Sequence, residues 1–433
     1  MTAHCEAPAA DVRPAGPALS ELRLSAFASH RGTVLALGPC TLVCGPSGSG
    51  KTTALRAYEA LAGLAAGGTL DEVFPDVDDC VPESARPDRQ RRRGFRIGCT
   101  VDGGAGPVRL DLAVQAEPEL RLVGERLTVG GQVLLASALR DPARRTVDAA
   151  WHTGGTAQVT KGPLPDDRLG TALLPLRVAG RTDGERLVLA AAEQVVVALR
   201  SVFGCDPRPS VMRAPVPVAE GRLLRGCDNL AEVLRRTSTE CGRRHAALVG
   251  AVGRGCAGSV ADLRAEVLRD GTVRAVLDRA ASAETSDPRG ACTPLERLGD
   301  GELRFVALAL VLLTGPGVLQ VDPVAEVPGA FQTLTVLADG FDRSLDRRQA
   351  RLLAGLAAGV AEQRGHIGLV ATVGDASWAD GVEGLTVVDL ERDGIRTGTG
   401  QGAGAAAGPA AGPEAGAGSR GVAAQTRRVR GGA

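Results

Sequence analysis

Residues 41–57 read Thr-Leu-Val-Cys-Gly-Pro-Ser-Gly-Ser-Gly-Lys-Thr-Thr-Ala-Leu-Arg-Ala, and the character of the chain changes twice inside them. Thr41 to Cys44 is a short apolar run of strand type. Gly45-Pro46-Ser47-Gly48-Ser49-Gly50-Lys51-Thr52-Thr53 is a glycine-rich loop, and the residues from Thr52 to about Ala62 are predicted to be helical. Strand, loop and helix in that order, with Lys and Thr closing the loop, make a phosphate cradle. Gly45, Gly48 and Gly50 let successive backbone N–H groups turn toward one anion. Lys51 supplies charge for β- and γ-phosphate oxygens, and Thr52 a hydroxyl for magnesium. ATP and Mg2+ are the ligands implied. Lys51 and Lys161 are the only lysines among 50 basic residues, so lysine stands where the motif requires it in a chain that otherwise uses arginine.

The rest of the composition narrows the class. The 50 basic residues are balanced by 50 acidic ones over 433 residues, so no global polyanion-binding signal exists. The length allows two or three lobes, each with its own core. Ten cysteines are scattered without a Cys-x-x-Cys pair, which predicts reduced, mostly buried thiols and a cytoplasmic protein. Cys40 and Cys44 flank the strand before the loop, and core packing is favoured for them over metal binding. No signal-peptide profile opens the chain. Its longest apolar run, Phe305 to Leu313, falls short of the roughly 20 residues a membrane span needs, so no membrane partner is expected.

Organisation follows from pattern. Residues 1–18 are rich in Ala and Pro and 398–433 in Gly and Ala, and both read as disordered tails. Residues 19–204 form a first unit: an opening strand around Leu22, Leu24 and Phe27, the loop, then Phe95 to Val101, Val108 to Val114, Leu120 to Val123 and Val133 to Leu135 as an antiparallel β meander. An acidic stretch and an arginine run from Arg86 to Arg96 precede the meander. Leu187 to Arg200 reads as a helix. In residues 205–290 helical spacing dominates from Asp228 to Leu268, giving a compact helical insertion. Residues 291–397 return to strand and helix alternation: a helix from Glu302 to Leu313, a strand from Val318 to Val321, a helix from Asp346 to Gln363, and strands at Ile367 to Thr372 and Leu385 to Leu390. That alternation implies a parallel α/β sheet.

Magnesium bound to a nucleotide also needs a carboxylate at the end of a neighbouring buried strand. Val318-Leu319-Gln320-Val321-Asp322 has that form, which makes Asp322 the candidate opposite Thr52. Just upstream, Leu298-Gly299-Asp300-Gly301-Glu302 opens an apolar helix, where glycine N–H groups make an anion site. Together these motifs resemble the Walker A, signature and Walker B segments of ABC-type ATPase heads. The Walker A surroundings, Glu125-Arg126-Leu127 and Asp228 to Leu234 resemble the RecF/SMC/OLD-like branch, which is also grouped with AAA-family ATP-binding proteins. The resemblance implies an α/β P-loop NTPase fold, an ABC-ATPase head with an antiparallel β meander and a compact helical insertion. It also implies a homodimer around two ATP molecules, with residues 298–302 of one chain covering the γ-phosphate held by the other.

Three positions depart from the family pattern. Gly299 stands where Ser is usual, Pro323 where a Glu normally activates water, and Val373 follows Thr372 where a His often senses the γ-phosphate. Glu326 is the remaining candidate for the base, set against a plainly solvated loop carboxylate. Because a positioned base contributes about 10²- to 10⁴-fold, hydrolysis is expected to be slow. Two functions stay open: a dimerising ABC/RecF-like ATPase in DNA repair or defence, touching DNA through Arg86 to Arg96, and an ATP-binding interaction or signalling module with a protein partner and little hydrolysis. A small-molecule P-loop kinase ranks last, since it leaves residues 298–302 unexplained.

Overall fold

A computed structural model describes residues 16–154, 158–219, 221–279, 292–321, 333–365, 367–390 and 425–428. The chain opens with an antiparallel pair, β1 (Ala18–Ser25) and β2 (Thr33–Ala36), in which Leu22 and Leu24 turn inward while Arg23 between them is better exposed. β3 (Cys40–Cys44) then leads into the glycine loop and α1 (Lys51–Ala65), followed by the single-turn α2 (Leu70–Val73). The meander is longer than the sequence suggests. It comprises β4 (Arg93–Asp102), β5 (Val108–Glu117), β6 (Arg121–Val129), β7 (Gln132–Ala138), β8 (Thr146–His152) and β9 (Val159–Pro165), and with the first pair gives one sheet in the order β2-β1-β4-β5-β6-β7-β8-β9.

After the short α3 (Gly170–Leu173), α4 (Asp183–Arg200) begins at a capping box in which the Thr182 hydroxyl accepts the Glu185 N–H at 3.1 Å. β10 (Val202–Cys205), the one-turn α5 (Pro209–Met212) and β11 (Val216–Pro217) lead to α6 (Leu230–Glu240) and α7 (Gly242–Gly255). The helical reading to Leu268 fails here. Residues beyond Gly258 form a hairpin of β12 (Val260–Val267) and β13 (Thr272–Arg279), with β14 (Cys292–Pro294) beside it. Its turn is Asp270-Gly271: Gly271 takes φ +81° and the Asp270 carboxylate accepts the Thr272 N–H at 3.0 Å. Leu263 and Val267 have helical spacing, but the Asp-Gly turn fixes the pairing.

The last part contains α8 (Asp300–Leu313), β15 (Leu334–Ala338), α9 (Arg347–Arg364), β16 (Ile367–Thr372), β17 (Thr386–Asp389) and β18 (Gln425–Arg428). The second sheet runs β10-β15-β16-β3-β17-β18, parallel except for β18, which pairs antiparallel with β17. Four residues of the expected C-terminal tail are therefore a sheet edge.

This parallel sheet lies between two cores. Leu42, Val336, Leu369 and Ala371 face the core built with α8 and α9, while Val43, Leu337, Val370 and Val388 face the one shared by α1, α4 and the antiparallel sheet. Both faces are covered, so these strands read as continuous apolar runs. α8 is buried from Leu303 through Leu313, as a helix apolar on every side must be. The glycine loop emerges at the carboxyl edge of this sheet, where open α/β folds bind their ligands.

Candidate phosphate-binding site

The loop conformation depends on its glycines. Gly45, Gly48 and Gly50 adopt φ of +143°, +79° and +94°, values that L side chains rarely take. A Cβ on Gly48 would point into open space, whereas one on Gly50 would meet His30 Nε2 at 2.6 Å and Ser29 Oγ at 2.7 Å. Gly50 ends in the carbonyl that accepts the Ala54 N–H at 2.9 Å, the first bond of α1. Lys51 donates to the carbonyls of Gly45 at 2.6 Å and Pro46 at 2.9 Å, so its ammonium lies over the loop. The Ser49 hydroxyl is buried and has no hydrogen-bond partner among the described residues.

Thr52 opens onto a carboxylate. Its Oγ1 donates to Asp339, with oxygens at 2.9 and 3.2 Å, and Thr372 Oγ1 donates to the same Asp339 Oδ1 at 2.6 Å. Asp339 directly follows β15, and Thr372 ends β16, which lies between β15 and β3. Parallel pairing therefore brings three strand ends together. Asp322, Pro323 and Glu326 lie outside the described residues. The strand expected before Asp322 is described, and it is not part of the parallel sheet. Leu319 makes only an isolated bridge to Leu223, whose N–H donates to Val318 O at 2.8 Å. Leu334–Ala338 occupies the sheet position instead, bonded to β10 on one side and β16 on the other. Asp339 thus stands opposite Thr52, in the place the sequence reading gave to Asp322.

The residue after Asp339 is Gly340, at φ +58°. Its N–H donates to Thr372 Oγ1 at 2.7 Å, and its carbonyl accepts from Arg304 Nη2 at 2.8 Å. Arg304 lies within α8, 2% exposed, and its Nη1 donates to Pro207 O at 2.5 Å. Burial pulls its guanidinium below the ordinary range, with Asp206 opposing. Val373 is buried, its N–H donates to Val43 O at 3.0 Å, and its side chain carries no polar group.

At the start of α8, Gly299 is the N-cap and nothing lies within 4 Å of a Cβ built on it. Gly301 packs against the Ser344 carbonyl so closely that no side chain fits. Arg213 donates to the Leu298 carbonyl at 2.9 Å and to Asp300 at 2.7 Å, and Glu302 accepts the Ala257 N–H at 2.8 Å. The Asp300 charge is thereby paired on the same chain. In the arginine run, Arg92 pairs with Asp88 and Arg93 with Glu117, while Arg86, Arg89, Arg91 and Arg96 are exposed.

A magnesium nucleotide fits these groups: an open glycine cradle, a lysine over it, and a hydroxyl and carboxylate at its end. Burial pushes the Cys40 thiol up to about 12 and the Cys44 thiol to about 11, the latter helped by Asp389. Neither is a thiolate ready for a metal. Among the described residues no group of three or more His, Cys, Asp or Glu side chains could hold a metal ion. Magnesium beside Thr52 and Asp339 would draw most of its ligands from phosphate and water, as that ion prefers. Nor, among the described residues, is any helix long and apolar enough to cross a membrane. Sequence reasoning missed Asp339, Arg304 and His30. The run Leu334 to Asp339, apolar and ending in Asp, was the available signal for the first.

Strand, glycine loop and helix at the carboxyl edge of a parallel sheet define a P-loop α/β protein. No family model matches the chain, and no curated protein matches it. Solved structures similar to it include SMC heads. An Smc head bound to the C-winged helix domain of ScpA has a TM-score of 0.45 at 10% identity, over 86% of this chain and 94% of that one. The SMC head domain from Thermotoga maritima scores 0.40 at 14% identity, over 86% and 94%. A Smc head with an extended coiled coil, bound to the C-terminal domain of ScpA derived from Pyrococcus furiosus, scores 0.41 at 10% identity, over 86% and 93%. At these scores the likeness is distant, and the chemistry of the site is read from its own distances.

Proposed function

We propose that the chain binds ATP with magnesium at Gly45 to Thr53, with Asp339 as the carboxylate on the magnesium side. The carrying observation is the Thr52 hydroxyl at 2.9 Å from Asp339, at the carboxyl ends of parallel strands. Bound magnesium would screen phosphate charge and fix the phosphates in position. The chain's own groups do the rest: loop N–H groups and Lys51 hold the phosphates, and Thr372 keeps Asp339 turned toward Thr52. Residues 298–302 of a second copy, of which Gly299 and Asp300 are exposed at the start of α8, would close over the γ-phosphate. The class is then an ABC-type ATPase head, with RecF/SMC-like kinship resting on the sequence motifs and DNA repair or defence as the setting that kinship suggests. The exposed Arg86, Arg89, Arg91 and Arg96 supply charge for DNA contact.

Gly340 favours a second reading, an ATP-binding interaction module with little turnover. The position after the strand-end Asp carries no side chain to activate water, and Val373 is no sensor. Sizing the protein with and without ATP, beside Lys51→Ala and Asp339→Ala, and measuring turnover with and without DNA separates the two. An ATP-dependent dimer with DNA-stimulated turnover supports the ATPase. A dimer indifferent to DNA, with negligible turnover, supports the module, and no dimer removes the two-chain site.

A further inference from the structure

Beside the loop lies a constrained turn from Ser25 to His30, between β1 and β2. Ala26 and Ala28 both lie in the left-handed region, at φ +52° and +47°. A non-glycine residue there is strained, and such strain persists only where surrounding structure holds it. The holding contacts are visible. Phe27 and His30 exchange backbone bonds of 2.9 and 2.8 Å, the Ala28 N–H donates to Cys80 O at 2.8 Å, and the Phe27 ring packs edge-on against Phe95 at 5.1 Å.

What the turn presents is an imidazole. His30 is 3% exposed, with Nε2 at 3.0 Å from the Gly50 carbonyl and Nδ1 at 2.9 Å from Thr33 Oγ1. A carbonyl only accepts, so Nε2 carries the proton and donates; in the neutral ring Nδ1 then accepts from the Thr33 hydroxyl. The carbonyl it grips belongs to the peptide joining Gly50 to Lys51, whose N–H lies on the opposite side of the same plane. Fixing that carbonyl fixes where the Lys51 N–H points. Gly50 also lacks the Cβ that would collide with this ring.

We infer that His30 is a positioning residue for the phosphate loop: by donating to the Gly50 carbonyl it orders the Gly50–Lys51 peptide for phosphate binding. The inference rests on the proposal that the loop binds ATP, but it adds a residue outside the motif and a cause for the strained turn.

The test compares His30→Gln, whose amide nitrogen reaches the Nε2 position, with His30→Asn and His30→Leu, which cannot bond Gly50. Two readouts are taken on the full chain: Mg·ATP affinity by calorimetry and amide exchange of residues 48–52 without nucleotide. Losing one buried hydrogen bond predicts about tenfold weaker affinity and about tenfold faster loop exchange in His30→Asn and His30→Leu. His30→Gln should stay within threefold of the parent in both. If His30→Leu does not fold, His30→Asn carries the comparison. Equal behaviour of Gln and Asn, or no change in any variant, overturns the inference. A parent chain that does not bind ATP sinks the functional proposal instead, and the exchange data still decide whether His30 orders the loop.

Discussion

On one side of the site, Lys51, Thr52, Thr372 and Asp339 are each engaged, by loop carbonyls or by one another. One residue further along two of the same strands, the chain offers Gly340 and Val373, and neither can activate or sense anything. Holding phosphate takes backbone N–H groups, one ammonium and a hydroxyl–carboxylate pair. Activating water takes a side chain of suitable pKa at the right distance. The two requirements fall on different residues, so either can change without any change of fold.

The largest effect that would break this contrast is on the binding side. Lys51→Ala should weaken ATP binding about 100-fold, since a charge-assisted contact is removed; unaltered binding in an equilibrium titration would place the ligand elsewhere. Next, Asp339→Asn should cost about tenfold in the presence of magnesium and little after chelation, when the carboxylate has no cation to serve. Asp322→Ala, measured beside it, should stay within twofold, and a larger loss there would reopen the choice between the two aspartates. On the other side of the contrast, Gly340→Ala should lower unfolding free energy by about 1 kcal/mol in denaturant titrations, because φ +58° favours glycine. ATP affinity should follow the parent.

The smallest effect is acid sensitivity from His30. Burial lowers its pKa, with the Gly50 bond opposing. Between the folded value and the ordinary value of about 6.5, the unfolded chain binds the proton and the folded chain does not. Its contribution is therefore complete above about pH 6.5 and declines as pH falls below it. Thermal melts should show that slope in the parent and lose it in His30→Gln.

Local chemistry made several features legible from the sequence. Glycine at 45, 48 and 50, lysine at 51 and threonine at 52 specify a loop whose conformation depends on adjacent residues, while α4 shows one-sided helical spacing and α8 an apolar run longer than most strands. The apolar strands around the loop were legible for the same reason. The partner of Thr52 was not. Val318–Asp322 and Leu334–Asp339 are both apolar runs ending in Asp, and nothing within either tells which joins the sheet. That choice is made by pairing with β10 and β16, contacts far apart along the chain whose strength depends on everything packed against both faces. The hairpin at Asp270-Gly271 was missed because helical spacing and strand character coincide in Val260–Val267. His30 was missed because a lone histidine twenty residues before Gly50 carries no signal. By itself, then, the sequence determined that a phosphate loop exists and which residues line it. Tertiary structure alone decided which carboxylate faces Thr52 and which histidine bonds the Gly50 carbonyl, because those are distances between segments and not properties of any one of them.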